Sequence, residues 1–244
     1  MHLFIRRTLA KAFTVGAIGA GILGGGFAVN PALALTPEQI SQQRSTVLAY
    51  VLENDNGLIL YPGVGEEAEE LNLLVFMSQA EANSFVAENA DNAPSEVRVI
   101  LTNLERIHQA VVESNDNPPR LVLVPEQTEV DQAVALDSDY QGGVPLFYAQ
   151  LSDGSFAPLR QDNGDPIFPL FFSREDLEES LSDLGEQNPE ARAEITVGVL
   201  PLQAVLQELQ TSDDELLSQI RLLPPEVVDA IRSQGGGQAP PAAE

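Results

Sequence analysis

From Val47 onward the apolar residues fall into short β-branched and aromatic runs bounded by Asn, Asp, Gly and Pro, and the same succession of runs occurs twice. Val47-Leu-Ala-Tyr-Val-Leu-Glu53 leads into Asn54-Asp-Asn-Gly57, and Val144-Pro-Leu-Phe-Tyr-Ala-Gln150 leads into Leu151-Ser-Asp-Gly154, at a spacing of 97 residues. Leu74-Val-Phe-Met-Ser-Gln-Ala-Glu81 answers to Pro169-Leu-Phe-Phe-Ser-Arg-Glu-Asp176 at a spacing of 95. Val97-Arg-Val-Ile-Leu101 answers to Ile195-Thr-Val-Gly-Val199, and Leu121-Val-Leu-Val-Pro-Glu126 to Ile220-Arg-Leu-Leu-Pro-Pro225. Four segments in one order, with spacings between 95 and 99, predict an internal duplication. Runs of this composition read as strands, and the two Asx-Gly corners read as hairpin turns.

Between the strands the apolar period changes from two to about 3.6. Ser78 and Ser173 stand where a strand ends, each with an acid three residues on, Glu81 and Asp176. In that arrangement the hydroxyl accepts from the third helical N–H and the acid lies at the positive helix end. Helices are therefore expected over 79–90 and 174–185. Leu104, Ile107 and Val111, and likewise Leu202, Val205, Leu206 and Leu209, have the spacing of a second helix in each unit. The expected fold class is mixed α/β, two tandem copies of a strand/helix unit with pseudo-twofold symmetry. The units span residues 46–136 and 143–232, residues 35–45 form an N-terminal helix or linker, and the Gly/Pro/Ala-rich end, 233–244, is a disordered tail.

The first 34 residues have another character. Arg6, Arg7 and Lys11 precede an apolar, Gly-rich stretch that ends at Ala32-Leu-Ala34, the three parts of a secretory signal peptide. Two adjacent arginines leave both the general and the twin-arginine export routes open. No later run reaches the ~20 apolar residues of a membrane span. All 37 acidic residues but only nine of the 12 basic ones follow Ala34, so the processed chain would carry −28 (9 minus 37) against −25 for the whole sequence. A surface of that sign repels phosphates and excludes nucleic acid as a partner.

Candidate chemistry is sparse. With no cysteine there is no disulfide, thiol nucleophile or zinc-thiolate site. His108 has no second histidine near it and falls on the expected helix, where it reads as a boundary residue. Ser78 and Ser173 have a capping role and lie in no nucleophile elbow. Asn54–Gly57, Asp137–Asp139, Asp162–Asp165 and Asp213–Glu215 are acidic, but none carries the full alternating calcium loop, and turn chemistry accounts for them. No catalytic residue, cofactor site or metal site is expected. What remains is apolar surface: Phe147, Tyr148, Phe168, Phe171 and Phe172, with Phe76 and Met77 at the matching place in the first unit. These residues either fill the core or line a groove that takes an extended polypeptide.

The strings Val144-Pro-Leu-Phe-Tyr148, Phe168-Pro-Leu-Phe-Phe-Ser-Arg-Glu-Asp-Leu177 and Val199-Leu-Pro-Leu-Gln203, with the Asp153-Gly154 turn, resemble the Tic 22-kilodalton-subunit family, a soluble component associated with the import translocon of the chloroplast inner envelope, and its cyanobacterial relatives. The resemblance implies a twice-repeated α/β fold without enzymatic activity. It implies a polypeptide carrier or chaperone in the cyanobacterial periplasm, or in the thylakoid lumen. Its partners would be unfolded or outer-membrane polypeptides and an outer-membrane insertion pore of the Omp85 class. The alternative is an acidic structural adaptor that docks on an envelope translocon complex. The first unit departs from the distinctive string, with Phe76-Met77 and Gln79-Ala80 where the second has Phe171-Phe172 and Arg174-Glu175.

Overall fold

The computed structural model describes residues 35–62, 70–90, 96–112, 118–160, 166–212 and 214–233. The expected signal peptide, the tail from 234 and the Asp162–Asp165 cluster lie outside the described residues. The chain enters through α1 (Pro37–Thr46). Its start is a complete capping box: Thr36 Oγ1 accepts from Gln39 N–H at 3.3 Å, Gln39 Oε1 accepts from Thr36 N–H at 2.8 Å, and Pro37 takes the first helical position.

β1 (Leu48–Asn54) alternates strictly: Val47, Ala49 and Val51 face one side and Leu52 the other. Its corner forms as the Asx-Gly sequence predicts. Asn56 N–H donates to Asn54 Oδ1 at 2.8 Å, and Gly57 supplies a φ of +108°. The short β2 (Gly57–Leu58) and β3 (Tyr61–Pro62) follow, then β4 (Leu71–Phe76), β5 (Arg98–Asn103) and β6 (Arg120–Val124). The main order is β5-β1-β4-β6: β1 is antiparallel to β5 and β4, and β6 is parallel to β4.

The second sheet has the same order and senses. β7 (Pro145–Leu151) is antiparallel to β10 (Ile195–Pro201) and β9 (Pro166–Phe171), and β11 (Ile220–Leu223) runs parallel to β9. The short β8 (Leu159–Arg160) pairs with β9. Registers agree residue by residue. Tyr50 faces Phe76 as Phe147 faces Phe171, Leu48 faces Asn103 as Pro145 faces Pro201, and Phe76 faces Val124 as Phe171 faces Leu223. Equivalent residues of the two sheets are 95 to 99 apart in sequence, the spacings of the sequence pattern.

Eight α-helices complete the described mixed α/β fold. α2 (Gln79–Glu88) and α5 (Arg174–Gln187) start at Ser78 and Ser173 as expected. Ser173 caps Asp176 N–H at 3.4 Å, the third helical residue, whereas Ser78 accepts from Ala80 N–H at 3.2 Å, one residue earlier. α3 (Leu104–Ile107) widens into a π turn over His108–Val112, and α7 (Leu202–Thr211) is regular. Leu104, Ile107 and Val111 are all buried, so their face is the expected one although the helix is not uniform. α4 (Gln127–Leu136), α6 (Pro189–Ala193) and α8 (Pro225–Ser233) are additions to the expected pattern.

Three cores hold these layers. Alternate residues of both sheets meet α1, α3 and α7 in one shared core that includes Val47, Val75, Leu104, Leu146, Leu170 and Leu202. The outer face of the first sheet is covered by α2 through Ala82, Phe85 and Val86. The outer face of the second is covered by three helices, through Ala133 of α4, Leu177 and Leu181 of α5, and Val228 of α8. α4 thus leaves the first sheet at β6 and packs on the second. α1 also bridges: Arg44 pairs with the buried Glu105 of α3 at 2.7 Å, while Gln43 reaches the backbone of β11.

Candidate polypeptide-binding surfaces

The seven aromatic and methionine positions singled out in the sequence are divided among the three cores. Phe147 and Phe171, facing each other across β7 and β9, lie beneath α5, and Phe76 lies beneath α2 with its ring centroid 5.4 Å from that of Phe85. Tyr148 packs tilted against Phe156 with ring centroids 4.4 Å apart, and Phe156 meets Phe168 at 6.1 Å, inside the shared core. Phe76, Phe147, Tyr148, Phe171 and Phe172 are buried, while Phe168 and Met77 are half-buried. No continuous groove therefore joins all seven: side chains alternate across a strand, and helices cover both faces at these positions.

Met77 and Phe172 do meet at an opening. They stand at equivalent strand ends, beside the N-caps Ser78 and Ser173, and line a cleft of about 230 Å³ at the seam between the sheets. Leu48, Val144, Pro145 and Pro224 add apolar wall, and Glu126, Glu129 and Glu226 supply carboxylates with no basic residue among the lining. Glu129 Oε2 accepts from Arg174 N–H at 3.1 Å, so a carboxylate on α4 satisfies the first turn of α5. Glu81 does the same for α4, accepting from Gln127 N–H at 3.2 Å. Burial pushes the Glu129 carboxyl up, opposed by the Arg174 N–H and reinforced by the charge of Glu126. The Glu129–Arg174 contact is helix capping between the two halves, and the Glu81–Gln127 contact is capping within the first. The cleft has room for one or two side chains and is smaller than the ~300–1,000 Å³ of a small-molecule site.

The apolar residues that the cores leave out are elsewhere. Leu58, Leu60 and Leu71 are 38, 36 and 49% exposed. Leu58 pairs with Glu53 and Pro62 with Leu71, on the parity that continues Leu73 and Val75 of the shared core. They extend the inner face of the first sheet beyond the part that the rest of the molecule covers. Leu101, on the edge strand β5, is 55% exposed. Two of the acidic corners behave as turns: Asp137 Oδ1 accepts from Asp139 N–H at 2.9 Å, like Asn54 from Asn56. His108 is half-buried at the start of the π turn.

A family model described as the Tic22-like family matches residues 18–234. The chain belongs to the Tic22-like family. Among its relatives, the chloroplastic protein TIC 22 of Pisum sativum is 22% identical over 188 residues, which is 75% of this chain and 70% of that one. The solved structure of Anabaena Tic22, described as a protein-transport protein, is 26% identical with a TM-score of 0.63, over 82% of this chain and 97% of that chain. Tic22 from Plasmodium falciparum, at 14% identity and a TM-score of 0.56 over 82% and 99% of the two chains, shares the fold.

Within this Tic22-like chain, sequence reading found the aromatic strands and missed the exposed leucines. Leu58-Ile-Leu60 follows the Asn56-Gly57 corner as an unbroken apolar run. Ile59 is buried and its two neighbours are exposed, an alternation of burial that three apolar residues in a row do not show in the sequence. Among the described residues, no helix is long and apolar enough to cross a membrane.

Proposed function

We propose that the chain is a polypeptide carrier in protein transport, acting without catalysis in the periplasm, and that its two sheets are tandem copies about a pseudo-twofold axis. The observation that carries the function is the exposed leucine set, Leu58, Leu60, Leu71 and Leu101, on a chain of net charge −25. Apolar patches give an unfolded segment something to bury. A large net charge of one sign keeps copies of the carrier apart and attracts basic segments. The description of Anabaena Tic22 as a transport protein supports the same reading, and the matched registers of the two sheets support the duplication. Outer-membrane polypeptides on the way to an insertion pore are the fitting clients, because their strands alternate apolar and polar residues.

Residues 35–244 should suppress the aggregation of an unfolded outer-membrane barrel, read by light scattering. Leu58→Glu with Leu71→Glu should remove the effect while the fold is kept, since both side chains stand on the exposed part of the sheet and a carboxylate there reaches water. Full suppression by this double variant would sink the assignment to these leucines. An adaptor reading is favoured by the charge alone. Binding to envelope complexes that vanishes at moderate salt, with no affinity for unfolded chains, would replace the carrier by the adaptor.

A further inference from the structure

The outer strands of the two sheets, β6 and β11, occupy equivalent places, and the molecule treats them differently. Met77 N–H donates to Val124 O at 2.9 Å, and Phe172 N–H donates to Leu223 O at 3.3 Å. In a parallel pair this turns the peptide groups of every second residue inward. Val122 and Val124 therefore face β4, and Arg221 and Leu223 face β9. Leu121 and Leu123 in one sheet, and Ile220 and Leu222 in the other, present their N–H and C=O outward.

On β11 those outward groups are met. The Gln43 side chain of α1 donates to Ile220 O at 2.6 Å and accepts from Leu222 N–H at 3.5 Å. Donating to one residue and accepting from the second one along is what a residue of a parallel neighbouring strand does. One carboxamide thus stands in for a strand and closes the edge. Arg221 Nη1 adds a second donor to Ile220 O at 2.7 Å. Beneath this cover Ile220 and Leu222 are each 2% exposed.

On β6 there is no such cover among the described residues. Its one extensive neighbour among the described elements is β4. Leu121, Val122, Leu123 and Val124 form four apolar residues in a row, and each is only half-buried. A bare edge with unpaired backbone groups is a template for another strand, which natural proteins otherwise block. Among the described residues the equivalent edge is blocked and this one is not.

We propose that the outer edge of β6 is a strand-addition site for an extended polypeptide segment of a client. The proposal rests on the polypeptide-carrier reading and gives it a location. An added strand would pair with the outward groups of Leu121 and Leu123. Its side chains would extend the inner face beside those leucines and the outer face beside Val122 and Val124. The occupant is a foreign segment, apolar at alternate positions and basic at its flanks. A second copy would bring another −25 charges against this one, and self-repulsion opposes that.

The experiment uses residues 35–244 and a fluorescent heptapeptide with valine at alternate positions and a lysine at each end. A second peptide has the same side chains but alternate backbone nitrogens methylated. Anisotropy should show saturable binding of the first and binding weaker by about ten-fold or more for the second, because two or three hydrogen bonds are lost. Hydrogen exchange should show the amides of Leu121 and Leu123 newly protected in the complex. Leu123→Pro, which removes an outward N–H and no bond to β4, should weaken binding to the level of the methylated peptide. Equal binding of both peptides, or protection confined to other segments, would overturn the edge assignment. Capture of an unfolded barrel with no protection at these two amides would sink the edge and leave the carrier standing, whereas no binding of peptide or barrel would sink both. A dimer of the chain that Leu123→Pro dissolves would assign the edge to self-association and overturn the proposal.

Discussion

The two sheets share strand order, senses and register, yet differ in how they are covered. Three helices lie on the outer face of the second sheet, and α1 closes its β11 edge through Gln43. The first sheet has α2 on its outer face, a β6 edge left uncovered among the described residues, and four leucines exposed by more than a third. Part of the difference is a single displacement: α4 follows the last strand of the first sheet but covers the second. One unit is thereby finished as a core and the other left open. Two frameworks of the same strand order and register are thus covered unequally, the second sheet enclosed by helices and the first leaving apolar side chains exposed.

The largest effect should come from equivalent residues on the two sheets. Phe147 is fully buried and Tyr50, its counterpart in register, is half-buried beside the seam cleft. Phe147→Ala should cost about 3–5 kcal/mol through lost burial and the cavity left behind. Tyr50→Ala should cost roughly half that, because part of its surface is already in water. Urea denaturation followed by circular dichroism measures both. Equal losses would mean that the first sheet contributes to the core as fully as the second, and the contrast would fail.

A smaller effect tests how one pair differs between the sheets. Val51 faces Ile100 in the first, and Tyr148 faces Gly198 at the same place in the second. The tyrosine ring lies over the glycine: a Cβ on Gly198 would stand 2.4 Å from Tyr148 Cζ. Gly198→Ala should therefore cost about 1–3 kcal/mol as overpacking. Tyr148→Val with Gly198→Ile, which copies the first sheet's pair, should recover part of that loss, and a double-mutant cycle should show coupling between the two positions. Additive effects would mean that the ring is not held against this strand.

Much of this was legible in the sequence. The strands and α2, α5 and α7 were placed to within a few residues, because turn residues, caps and period agree there. α8 was lost because Pro224-Pro225 reads as a stop, although proline is equally at home at the first position of a helix. α4 was lost because its only buried residue is Ala133, too small to mark a period. The aromatic cluster could not be sorted into core or groove from strand parity, since both parities are covered, and one cover is a helix from the other half. Gln43 on β11 joins residues 177 positions apart and leaves no local trace.

The smallest effect concerns the seam that joins the halves. Glu129 spans it, with Glu126 and Asp176 as like charges nearby, Glu226 also lining the cleft, and the Arg174 N–H and the Ser173 side chain as its compensating donors. Its folded pKa is raised, chiefly by burial, so the folded state binds its proton more tightly than the unfolded state does. By linkage this group's contribution rises as pH falls through the raised folded value, and is complete below the unfolded one. At neutral pH the ionised carboxylate is thus a small liability. Glu129→Gln keeps an oxygen for the Arg174 N–H and removes the charge. It should be slightly more stable than wild type at neutral pH, and the advantage should shrink to nothing once the solution is acid enough to protonate ordinary carboxylates. Asp176, whose pKa is also raised by burial, is one of those like charges; removing the Glu129 charge relieves it as well, which adds to the advantage of the Gln variant at neutral pH. Paired thermal melts across that range decide the matter. A Gln variant that is less stable at neutral pH would show that the charge on Glu129, aimed at the start of α5, helps to hold the second half to the first.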